Sequence, residues 1–83
     1  MYVVAIHRIS DPGKFLSTAQ TTELPAGLTL HSLLPSQDGS QAVCLWEAGS
    51  VEDVRAVVEG AVGEISRNEY FPVENANAVG LPG

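Results

Sequence analysis

With 83 residues, ten acidic side chains against four basic ones and a formal charge of −6, the chain has room for one domain, and its charge would repel nucleic acid phosphates and anionic membranes. No apolar run approaches the ~18 residues of a membrane-spanning helix. The single cysteine, Cys44, excludes an internal disulfide; with no secretory pattern at the N-terminus, a cytoplasmic protein is expected.

A domain this small buries only about 60% of its unfolded surface. Metals or partner subunits commonly supplement such a core, and a second copy of the chain is the expected supplement here.

Tyr2 to Ile9 is rich in β-branched residues and reads as a strand, closed by Ser10-Asp11-Pro12-Gly13. Asp11 before Pro12 suits a helix cap followed by proline at the first helical position, so a short helix is predicted over Pro12 to Gln20. Leu24-Pro25-Ala26-Gly27 breaks the chain before a second strand, Leu28 to Leu34. A third strand, Gln41 to Ala48, follows a turn marked by Asp38-Gly39. Ser50-Val51-Glu52-Asp53 has capping-box spacing, and Val54, Val57, Val58, Ala61, Val62 and Ile65 recur at helical period after it. The same helix carries Glu52, Arg55, Glu59 and Glu64 as a solvated face, with Arg55 spaced to pair with Glu52 or Glu59. A last short strand, Tyr70 to Val73, contains Pro72 and therefore belongs at an edge or a bulge. The order is β-α-β-β-α-β, a ferredoxin-like α+β domain over residues 1–83 with two helices on one face of a four-stranded antiparallel sheet.

Side chains alternate along strands. Assigning the more aliphatic set of each strand to the helices sends Val4, Ile6, Leu28, Leu30, Leu34, Val43 and Leu45 inward. His7, His31, Cys44 and Trp46 then gather on the opposite, open face beside Val3, Ala5 and Leu33. That face is too apolar for water, and a second copy laid upon it would close a barrel around a cavity with a few polar groups.

The chain at this point resembles the dimeric α+β barrel superfamily. It is most similar to a small bacterial family of unknown function that includes a nickel-binding member from actinomycetes. The resemblance rests on His31-Ser32, on Ala42-Val43-Cys44-Leu45-Trp46 and on Ser50-Val51-Glu52-Asp53-Val54-Arg55, and more loosely on Gly63-Glu64-Ile65-Ser66-Arg67. It covers about half of the chain and includes no catalytic signature. His7 stands where an acidic residue would be expected, and the loop after the second strand is longer. The resemblance implies the fold, a homodimer, and a metal ligand at His31.

Two functions follow. One is a divalent metal ion (nickel, zinc or copper) or a small ligand between the two sheets, with His7, His31 and Glu69 as metal ligands and Trp46, Tyr70 and Cys44 as ligand contacts. The other is a cofactor-independent enzyme of isomerase, cyclase or monooxygenase type, in which His31 or His7 abstracts a proton from a hydrophobic or aromatic substrate. A third reading, dimerisation without chemistry, leaves both histidines as structural residues. The last strand has no fixed parity in the sequence, so Tyr70 faces either the cavity or outward.

Overall fold

The structure, a computed structural model, describes Met1 to Pro82. Strand β1 (Tyr2–Ile9) leads into helix α1 (Pro12–Thr21), then β2 (Thr29–Pro35), β3 (Gln41–Glu47), helix α2 (Val51–Val62) and β4 (Ser66–Pro72), with a single 3₁₀ turn at Asn75–Asn77. The strands form one antiparallel sheet in the order β2-β3-β1-β4. The element order is the predicted one, and the architecture is compatible with a ferredoxin-like fold.

Local chemistry explains the elements. The Asp11 carboxylate accepts the Lys14 N–H at 3.2 Å, and Pro12 occupies the first turn. Ser50 Oγ accepts the Asp53 N–H at 3.1 Å, with Glu52 and Asp53 placed favourably at the positive end of α2. Arg55 pairs with Glu52 on the exposed side. Between β2 and β3, Asp38 accepts hydrogen bonds from the Ser40 N–H, the Ser40 hydroxyl and the Ser36 hydroxyl, which hold its carboxyl down at about 2. Gly39 closes this loop at φ +77°.

The last strand is longer than predicted. It runs from Ser66 and pairs with β1 without interruption from Ile9↔Ser66 to Val3↔Pro72. Pro72 and Pro35 both end edge strands, where a missing N–H costs no ladder bond.

The parity of the two central strands is the reverse of the expected one. Val3, Ala5 and His7 of β1 and Ala42, Cys44 and Trp46 of β3 are buried with Phe15 of α1 and Val54, Val58 and Val62 of α2. Val4, Ile6, Val43 and Leu45 occupy the open face. The larger aliphatic residues thus point away from the helices, and small ones lie beneath them. The helix side takes its bulk from Phe15, His7 and Trp46, leaving room only for alanine and valine between.

Strand β2 adds a second departure. A bulge between Leu30 and Ser32 inserts His31 without a partner, so Leu30 opposes Trp46 and Leu33 opposes Cys44. Both leucines therefore reach the helix side, while Leu34, opposite Val43, lies on the open face.

Candidate functional site

Between the sheet and the helices lies a cavity of about 70 Å³. Leu30 and Leu33 of β2, Val58 and Val62 of α2 and Phe15 of α1 give it apolar walls. Its polar groups are His7, Cys44 and Trp46 of the central strands and, after α1, Thr22, whose hydroxyl donates to Thr18 O at 2.7 Å. Leu24, in the connection after α1, also lines it and is 39% exposed.

Among the described residues, Trp46 Nε1 is the buried side-chain N or O atom that lacks a hydrogen-bond partner. Trp46 is 5% exposed. A buried N–H left unpaired costs about 1–3 kcal/mol, and Trp46 lines the cavity, so an acceptor admitted beside the indole as the wall relaxes would recover that energy.

His7 is 2% exposed, and both its ring nitrogens are engaged. Nδ1 lies 2.7 Å from Asn68 Oδ1, and Nε2 lies 3.2 Å from Cys44 Sγ. The Asn68 amide is oriented from its other end, because its Nδ2 donates to Glu59 Oε2 at 2.9 Å. Ser66 Oγ also donates to Asn68 Oδ1 at 2.8 Å. With Oδ1 an acceptor only, His7 carries its proton on Nδ1 and turns the Nε2 lone pair toward the Cys44 thiol. Phe15 packs on the imidazole, with ring centroids 5.1 Å apart.

Burial sets the protonation states. It lowers the pKa of His7 against the opposing pulls of the Asn68 hydrogen bond and the Glu59 charge. It pushes the Cys44 thiol up to about 12. The resting pair is a neutral imidazole and a neutral thiol. Beyond Asn68, Glu59 accepts from the Tyr70 hydroxyl, and these two hydrogen bonds hold its carboxyl below its usual value. Burial, then the Glu59 bond, raises the Tyr70 hydroxyl well above its ordinary range. Arg55 sits over the Tyr70 ring at 5.1 Å and completes this outer cluster.

His31 is across the sheet. Its Nε2 lies 2.8 Å from Glu47 Oε1, and its ring lies 5.8 Å from that of Tyr2, both on the open face. Glu69 opposes Ile6 and is exposed on that face, whereas Tyr70 opposes Ala5 and turns toward α2. The common interior expected for His7 and His31 is therefore not formed within the chain. Among the described residues, no three histidine, cysteine, aspartate or glutamate side chains converge on a point where an ion could sit. The donor set does not fit a metal held by one protomer.

Asn68 and Glu59 complete the site and were not legible as parts of it. Asn68 fell before the strand as predicted, and Glu59 read as a solvated charge. An extension of β4 back to Ser66 would have placed Asn68 opposite His7. No protein-family model matches the chain, and no curated protein or solved structure matches it.

Proposed function

We propose that this protein binds a small, mostly apolar molecule with one hydrogen-bond acceptor in the cavity between sheet and helices, and that it does so as a homodimer. The unpartnered Trp46 N–H carries this reading. It is an unsatisfied buried donor in a mostly apolar wall, the usual composition of a small-ligand site. The volume limits the ligand. A cavity of roughly 150 Å³ takes benzene, so about 70 Å³ suits a molecule of three or four heavy atoms.

Trp46 is the only tryptophan, so its emission reports on the cavity directly. Titration with acetone and with acetamide, four heavy atoms each, is expected to shift that emission saturably. A linear or absent response to both would refute the proposal.

The homodimer rests on the other face. Leu34, Val43 and Phe71 are 63, 41 and 46% exposed, with Val4, Ile6 and Leu45 between them, and a contiguous apolar surface of this kind calls for a cover. A second copy suits it because Arg8 and Arg67 lie at one end and Glu47 at the other, so a two-fold axis would bring opposite charges together. Light scattering is expected to give twice the 8.7 kDa chain mass. The ligand is held by groups of one protomer, and no metal ion is part of this reading.

A further inference from the structure

We propose that Cys44 is a nucleophile toward small electrophilic carbonyl compounds, with His7 as its base, Asn68 as the residue that positions the base and Trp46 as the donor to the carbonyl oxygen. This rests on the ligand reading above and names the chemistry of the same cavity.

The arrangement is that of a nucleophile, a base and an orienting group in series. Cys44 Sγ lies 3.2 Å from His7 Nε2, and His7 Nδ1 lies 2.7 Å from Asn68 Oδ1. The order is imposed from outside: Glu59 fixes the Asn68 amide, the amide fixes the imidazole tautomer, and the tautomer presents a lone pair to the thiol. A cysteine kept only for packing needs no such alignment. The second observation is independent of the thiol. Trp46, two residues along β3 on the same face, lines the same cavity and carries a buried N–H without a partner. A carbonyl compound would meet both demands, placing its oxygen at Nε1–H and its carbon at Sγ.

For an aldehyde the step balances without a co-reactant. The Sγ–C bond forms as the π pair of the carbonyl moves onto oxygen. The S–H proton passes to His7 Nε2 and from there to the new oxyanion. The product is a neutral hemithioacetal, nothing is oxidised or reduced, and reversal releases the aldehyde. In an enal the same transfers place sulfur on the terminal carbon and the proton on the α carbon, and the adduct persists. Apolar surroundings disfavour a separated thiolate and imidazolium, so proton transfer accompanies C–S bond formation instead of preceding it. The groups facing His7 are Cys44 from β3, Asn68 from β4, Phe15 from α1 and, through Asn68, the Glu59 carboxylate of α2.

Acrolein, with four heavy atoms, is the probe, and peptide mapping by mass spectrometry reads its addition at Cys44. In the native protein the rate is expected to be flat from pH 7 to 9, where the base is already neutral. A free thiol instead reacts about tenfold faster per pH unit below its pKa. His7→Gln is expected to slow addition by about a hundredfold or more, the usual worth of a positioned base. Asn68→Ala should slow it less, and Trp46→Phe should slow it while preserving the wall. Circular dichroism confirms that each variant is folded. A native Cys44 that acrolein leaves unmodified while the urea-unfolded chain reacts overturns the proposal, as does an equal rate in His7→Gln. Acetone binding to Cys44→Ala separates the two readings: binding retained with no acrolein chemistry leaves the ligand site standing, and binding lost in both proteins removes it too.

Discussion

Acid should destabilise this protein through His7 before its carboxylates titrate. In the unfolded chain the imidazole titrates near 6.5, and burial lowers that pKa in the folded state. As pH falls, the unfolded chain binds this proton first, so the His7 contribution is complete above about pH 6.5 and drains away below it. For a ring that stays neutral while folded, the loss between pH 7.5 and 5.5 is about 1.4 kcal/mol. Asp38 and Glu59, whose pKa values are also lowered, lose their contributions at more acidic pH, outside this window. A domain of this length has a total stability of roughly 4–12 kcal/mol, so the effect is large enough to measure. The comparison is His7→Gln, whose amide can still donate to Asn68 Oδ1 but does not titrate. Unfolding free energies from urea titrations of both proteins at pH 7.5, 6.5 and 5.5 should converge on acidification, by up to that amount. Parallel pH dependences would show that the folded imidazole protonates as freely as the unfolded one, and the neutral His7–Cys44 pair would have to be abandoned.

Ser50→Ala removes the acceptor of the Asp53 N–H and should cost about 1 kcal/mol by chemical denaturation; no change would mean that α2 starts elsewhere. Gly39→Ala demands a side chain at φ +77° and sets its Cβ 2.8 Å from Pro12 Cβ, so a loss of roughly 1–3 kcal/mol is expected, and a neutral result would remove the close approach of this turn to α1. Val43→Glu places a charge in the centre of the apolar open face. It should yield a folded monomer by light scattering, and a dimer of unchanged strength would put the interface elsewhere. Phe15→Ala removes the side chain that α1 buries most fully and should cost about 3–5 kcal/mol by urea unfolding, with a smaller effect arguing that α1 packs loosely.

Residue type and spacing determined the element order, the antiparallel sheet and both helix starts. Those features are set by neighbours within a few positions: a carboxylate or hydroxyl that caps, a proline that fits a first turn, an Asp-Gly that reverses direction. The face on which the chemistry lies needed the tertiary structure. Both faces of β1 and β3 are apolar, so alternation was clear but its sign was not, and the sign depends on how much bulk the helices bring. Phe15 and Trp46 fill the helix side and leave Val3, Ala5 and Ala42 as the residues that fit beneath. A single inserted residue at His31 then moved Leu33 inward, whereas the reversed sign of β1 took His7 into the core with Cys44 and left His31 at the surface with Glu47. Strand pattern is a local property, whereas the choice between two apolar faces is settled by volume and by which polar groups find partners once the layers meet.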